Sequence, residues 1–111
     1  MKSMQFFVLY FVKRILLEIY LMLSIYLQKS MLCCGSCLTE IARREHIFAM
    51  SSDGVHSNYT NLGGFMHDVV TVSSAGNVVL DGGASAQYSW FPGYTWTIAL
   101  CRSCAAHVGW R

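Results

Sequence analysis

Apolar and polar positions divide the chain into two textures. From Phe6 to Leu27 nearly every position is apolar: FFVLYFV is interrupted by Lys13-Arg14, and ILLEIYLMLSIYL follows with Glu18 inside it. Leu, Ile, Met, Glu and Lys without Gly or Pro favour helix, so this pattern predicts an apolar helix within residues 1–32. From Cys33 onward short runs rich in β-branched and aromatic residues alternate with turn residues. FMHDVVTVSS (65–74), VVL (78–80), QYSWF (87–91), YTWTIAL (94–100) and AAHVGW (105–110) read as strands. Ala75-Gly76-Asn77, Asp81-Gly82-Gly83 and Pro92-Gly93 read as the turns between them. In YTWTIAL, Tyr94, Trp96, Ile98 and Leu100 share one face. Residues 40–50 fit helix and strand equally. Strands this short and closely spaced predict an all-β domain, an antiparallel sandwich or small open barrel.

The apolar segment does not match a spanning helix, which needs about 20 apolar residues with few or no charges; Lys13, Arg14 and Glu18 fall inside the window. Lys2 and FFVLYFV resemble the start of a signal peptide, but no A-x-A-like cleavage site follows. Three roles stay open for residues 1–32: a helix lying on a membrane or partner through residues 6–27, a signal or anchor, or a segment without structural role. Localisation stays open with them.

The cysteines narrow the chemistry. Cys34-Gly35-Ser36-Cys37 and Cys101-Arg102-Ser103-Cys104 are two C-x-x-C knuckles with 63 residues between them. A two-residue gap lets one short turn present two sulfurs about 3.7 Å apart, and two such turns complete a tetrahedral zinc site. The long separation means that one structural Zn2+ would tie the two ends of a domain together. In an oxidising compartment the same four residues could pair as disulfides, although pairing inside each C-x-x-C closes tiny loops and stabilises little. Cys33 is the fifth cysteine; neighbouring side chains diverge, so it points away from the metal. A domain of this size has a marginal core, which makes a staple expected.

Charge excludes one class of function. Residues 1–30 carry net +3, whereas residues 31–111 carry net −1. The knuckle-bearing part lacks the excess of Lys and Arg that neutralises phosphates, which argues against a nucleic-acid module.

All three tryptophans lie in the last 22 residues. SWFPGYTW sets Trp90 and Trp96 on either side of a Pro-Gly turn, and Trp110 follows the second knuckle. Indoles in a small zinc-stapled domain ordinarily fill the core. Three around one small polar ligand would instead make a water-excluding box, with backbone amides supplying hydrogen bonds.

The string SWFPGYTW, the following C-R-S-C-A-A-H-V-G-W, the upstream CCGSC and the stretch N-L-G-G-F-M-H-D-V-V-T-V together resemble the CULT domain family, the thalidomide-binding domain of cereblon. The resemblance covers residues 33–111; residues 1–32 resemble nothing in the family. It implies two antiparallel sheets meeting at an angle, pinned by a four-cysteine zinc site of Cys34, Cys37, Cys101 and Cys104. It also implies a tryptophan cage of Trp90, Trp96 and Trp110 for a cyclic imide such as glutarimide, or for a modified peptide terminus of that shape. The family's ligand-facing Asn falls on Asn61. A His whose backbone bonds the imide is replaced by Tyr88. Two departures accompany these matches. Residues 1–32 cannot supply the domains that precede the CULT domain in cereblon, so a ubiquitin-ligase adaptor contact is not expected. The family pattern also continues past Gly-Trp where this chain stops at Arg111, so the domain reads as C-terminally truncated, with Trp110 short of support. By resemblance the location is cytoplasmic or nuclear.

No Ser-His-Asp or paired-carboxylate pattern is visible, and no enzyme is expected. His67 reads as a structural hydrogen-bonding residue; His107, three residues past Cys104, could be a stray ligand, but four cysteines already satisfy zinc; and His46 and His56 read as surface residues. The sequon Asn58-Tyr59-Thr60 would matter in a secreted chain. Three alternatives stand beside the imide-binding reading: a secreted or membrane-tethered CULT protein with another small ligand, a redox enzyme using Cys33, and a truncated product without binding activity.

Overall fold

The computed structural model describes residues 2–3, 5–20, 26–49, 56–60, 66–87, 89, 91 and 93–111. The described residues form ten strands in order: β1 (Lys2–Ser3), β2 (Phe7–Leu9), β3 (Val12–Tyr20), β4 (Tyr26–Cys34), β5 (Glu40–Arg43), β6 (His56–Thr60), β7 (Met66–Val72), β8 (Val78–Ser85), β9 (Tyr94–Cys101) and β10 (His107–Trp110). A one-turn 3-10 helix, Arg44–His46, follows β5. The larger sheet runs β1-β9-β10-β2-β7-β6, with β8 also on β9, and the smaller runs β3-β4-β5. Among the described strands every pairing is antiparallel except the short parallel contact of β1 with β9.

Among the described residues of 1–32 the expected apolar helix is not formed; β1, β2, β3 and most of β4 lie there instead. β3 and β4 make a hairpin in unbroken register from Val12↔Cys34 to Tyr20↔Tyr26. β2 enters the middle of the larger sheet, with Val8 opposite Thr71 on one side and Trp110 on the other. The reason lies in its burial. Phe6, Val8 and Tyr10 pack into one hydrophobic cluster, while Phe7 and Leu9 pack into the other. A strand covered on both faces reads as a continuous apolar run and gives no alternation to find. Helix propensity is a weak prior, and pairing with β7 and β10 overrides it. Among the described residues no helix is long and apolar enough to cross a membrane.

Elsewhere the expected strands 65–74, 94–100 and 105–110 correspond to β7, β9 and β10. Two details differ. Asp81-Gly82-Gly83 is not a turn: β8 continues through it with a register shift between Asp81 and Ser85, and Gly82 takes a φ of 76° to absorb it. The ambiguous stretch 40–50 divides into β5 and the 3-10 turn. In the expected strand 87–91, the described Gln87, Ser89 and Phe91 are not in strand, and Tyr88 and Trp90 lie outside the described residues.

The two clusters occupy opposite faces of β2. One, of Leu9, Leu32, Cys34, Ile41, Ala42, Val70, Val72, Cys101 and Val108, fills the space between the sheets and includes a cysteine from each knuckle. The other, of Phe6, Val8, Val69 and Phe91, collects Tyr10, Phe48, Tyr94, Trp96 and Trp110 around it. Phe6 is its hub, with edge-on contacts to Phe48, Phe91 and Tyr94 at 5.7, 5.8 and 5.6 Å.

Gly109 sets the spacing of β2 and β10. A Cβ there would fall on the Val8 carbonyl oxygen and lie 2.9 Å from the Leu9 Cα. Both obstacles are backbone and cannot swing away. Gly109→Ala should therefore cost about 2 kcal/mol or more, as overpacking at a rigid contact does. Gly76→Ala, where a Cβ meets nothing within 4 Å, should stay within about 0.5 kcal/mol of the parent. Urea unfolding of the zinc-loaded protein measures both.

Candidate metal centre and the aromatic face

Each knuckle is built by the same backbone device. In the first, Cys34 N–H donates to the Thr39 carbonyl at 2.8 Å and Leu38 N–H to the Cys34 carbonyl at 3.0 Å. In the second, Cys101 N–H donates to the Ala106 carbonyl at 2.8 Å and Ala105 N–H to the Cys101 carbonyl at 2.8 Å. The residue after the second cysteine is left-handed in both, Leu38 at φ 64° and Ala105 at φ 63°. Neither is glycine, so sequence alone gave no sign of the conformation. The two turns are near copies, one at the end of β4 in the small sheet and one at the end of β9 in the large sheet.

They meet face to face. Cys34 Sγ lies 3.6 Å from Cys104 Sγ, and Cys37 Sγ lies 3.6 Å from Cys101 Sγ. All four sulfurs fall within 4.8 Å of one another. A tetrahedron of thiolates at zinc–sulfur distances of about 2.3 Å has edges of about 3.8 Å, so the four fit one zinc ion and leave no coordination position for a substrate. The centre is structural. Cys34 and Cys101 are buried and Cys37 and Cys104 exposed, so the metal would sit at the edge of the inter-sheet core.

Zinc takes cysteines as thiolates, so their protonation bears on the site. The Thr39 hydroxyl, 3.1 Å from Cys37 Sγ, is the main cause that lowers the Cys37 thiol to about 6. At Cys104 the backbone N–H of Ala106 also lowers the thiol, but burial and the sulfurs of Cys37, Cys34 and Cys101 outweigh it and push it up to about 11. The two exposed thiols are thus pushed in opposite directions, and a metal binds both as thiolates.

Cys33 stands apart from this set. It is buried, and burial, with the charges of Glu40 and Cys34, pushes its thiol up. A buried thiol of raised pKa is a weaker nucleophile than an exposed one, which disfavours the redox reading.

Trp96 and Trp110 come together on the aromatic cluster. Trp110 on β10 is opposite Ile98 on β9, which makes Trp96 its diagonal neighbour; aromatic side chains reach across that diagonal. Trp96 Nε1–H donates to the Gln87 carbonyl at 2.7 Å. Trp110 is not loosely held at the chain end: its backbone lies between Val8 of β2 and Ile98 of β9, and Arg111 exchanges hydrogen bonds of 2.9 and 2.7 Å with Thr97. A register shift between His107 and Gly109 puts a bulge in β10, and such a bulge re-aims the following side chains. Val108 accordingly faces the inter-sheet core while Trp110 faces the aromatic cluster. Trp90, Tyr88 and Asn61 lie outside the described residues.

Sequence reasoning did not find Phe6, Tyr10, Phe91 or the role of His107. His107 is no neighbour of the metal. It receives the Tyr10 hydroxyl at Nδ1, 3.3 Å, and donates from Nε2 to the Gly109 carbonyl, 2.9 Å. His46, expected on the surface, is half-buried.

The metal should behave as follows. Purified protein holds one zinc per chain, and Cys37→Ser or Cys101→Ser unfolds it, because structural metal binding is folding free energy. Zinc binds the cysteines only as thiolates, so zinc is retained at pH 8 and released as acid protonates the sulfurs. Metal analysis after dialysis across that range checks it. A chain that stays folded in strong chelator and carries disulfides by mass contradicts it.

Comparison with known proteins agrees with this geometry. The family model described as Yippee zinc-binding/DNA-binding/Mis18, centromere assembly, matches residues 30–111. Cereblon of Danio rerio is 47% identical over 81 residues, covering 72% of this chain and 19% of that protein. Cereblon of Gallus gallus is 47% identical over 81 residues, 72% of this chain and 18% of that protein. Cereblon of Drosophila persimilis is 38% identical over 97 residues, 86% of this chain and 16% of that protein. The chain thus spans under a fifth of the length of these relatives. With both knuckles and their four-sulfur centre inside the matched span, the chain belongs to the Yippee/Mis18 family of zinc-binding domains, and within it to the cereblon-like CULT domains.

Proposed function

We propose that this chain is a zinc-stapled binding module that takes a small cyclic imide, or a peptide terminus carrying one, in a cage of Trp90, Trp96 and Trp110, with Asn61 facing the ligand and the Tyr88 backbone bonding it. One observation carries the reading: Trp96 and Trp110, 14 positions apart in sequence, share one aromatic cluster on the face of β2 opposite the inter-sheet core. The CULT resemblance supports the imide as ligand class. Chemistry supports it too, since a flat ring with polar edges suits stacked indoles that exclude water while backbone groups bond its carbonyls and N–H.

The module acts by binding. The zinc centre is closed and the Cys33 thiol is buried, so neither provides a reacting group. The reading concerns the part shared with cereblon and assigns this chain no adaptor contact. A membrane contact through residues 6–27 gains no support from the fold, because β2 spends its apolar side chains on the two cores.

Glutarimide titrated into the zinc-loaded protein should quench tryptophan fluorescence and raise the melting temperature. An aromatic wall contributes about 0.5–1.5 kcal/mol beyond its buried area, so Trp96→Ala should weaken binding about tenfold or more once the lost area is added. Ring-opened glutaramic acid should not bind. Unchanged fluorescence and melting temperature at millimolar glutarimide, with zinc retained, would exclude the imide cage.

A further inference from the structure

Tyr10 lies outside residues 30–111, the span matched by the family model, yet its ring sits against Trp110. The two centroids are 5.2 Å apart with planes tilted 30°, close to an offset stack. His107 meets Trp110 edge-on at 4.9 Å and 86°, and meets Tyr10 edge-on at 5.1 Å and 72°. Each ring of the three touches the other two.

Hydrogen bonds fix the arrangement. The Gly109 carbonyl can only accept, so the His107 Nε2 that lies 2.9 Å from it carries the proton. Nδ1 of the neutral imidazole is then an acceptor, and the Tyr10 hydroxyl at 3.3 Å donates to it. Gly109 is itself immobilised by its approach to Val8 and Leu9, and Tyr10 N–H bonds the Val108 carbonyl at 2.9 Å. The chain therefore closes on itself, from the end of β2 through the phenol and imidazole to the β10 bulge and back to β2. Burial pushes the Tyr10 hydroxyl above its ordinary pKa, so it keeps its proton as donor.

We propose that Tyr10 and His107 are positioning residues that clamp the Trp110 indole, the N-terminal strand segment thereby setting one wall of the binding cage. This rests on the reading of Trp110 as a cage wall. The clamp itself is a property of the folded protein and can be tested without ligand.

The test uses the full zinc-loaded chain labelled with 15N. Its Trp110 indole N–H resonance is assigned by its loss in Trp110→Phe, and its rigidity is read from the heteronuclear NOE. Tyr10→Leu removes both ring face and hydroxyl; Tyr10→Phe removes the hydroxyl alone. In Tyr10→Leu the Trp110 resonance should move and its NOE fall, while the Trp96 resonance, held by Gln87, stays in place. Tyr10→Phe should give a smaller change of the same kind. Glutarimide affinity should drop roughly two- to tenfold in Tyr10→Leu, and less in Tyr10→Phe. An unmoved, rigid Trp110 resonance in zinc-holding variants overturns the clamp. Should Tyr10→Leu fail to hold zinc, Tyr10→Phe decides alone, movement supporting the clamp and constancy overturning it. If the parent binds no imide, the proposed function fails while the indole readout still decides the clamp.

Discussion

Four sulfurs converging on one metal are the constraint on which this structure depends. The knuckles come from different sheets, Cys34 and Cys37 from the end of β4 and Cys101 and Cys104 from the end of β9. The space between the sheets is filled by small branched side chains and by the buried cysteines themselves. Such a core is modest for a domain of this length, and a metal that fastens both sheets at one edge compensates for area it cannot bury. Four thiolates at one point concentrate negative charge, and the cation is what allows them to share it.

The metal's influence reaches the aromatic face through short, rigid connections. β9 leaves the second knuckle and pairs with β10; β10 pairs through Gly109 with β2; β2 carries Leu9 on the metal side and Val8 on the aromatic side. At the first knuckle, Gly35 N–H bonds the Phe11 carbonyl at 3.0 Å, and the Phe11 ring covers the position a Gly35 side chain would take. Residues 10 and 11 therefore touch both centres, Phe11 the metal knuckle and Tyr10 the ring of Trp110. A binding site of preorganised aromatic walls needs such a scaffold, since loosening one wall lets water in.

Much of this was legible in the residues. The C-x-x-C spacing gave the metal set, because two sulfurs per turn is a local geometric requirement that no tertiary context changes. β7 and β9 announced themselves by β-branched content and alternation. FFVLY did not, because alternation disappears when both faces are buried, and ILLEIY carries helix formers that pairing with β4 overrides. Asp81-Gly82-Gly83 looked like a turn, but glycine serves a bulge as readily as a turn. The left-handed Leu38 and Ala105 carry no glycine signal, and the bulge that turns Trp110 away from Val108 has none either. Tyr10 and His107 lie 97 positions apart, and only the pairing of β2 with β10 brings them into contact.

The central claim is that one zinc holds the two sheets in register and so maintains β2 between β7 and β10. Amide hydrogen exchange, site by site with and without zinc, tests it most directly. The account predicts that Leu9, Val70, Gly109 and Trp110 exchange slowly in the zinc-loaded protein and lose that protection together when the metal is removed. If these amides stayed protected in the zinc-free chain, the sheets would hold without the metal and the account would be contradicted.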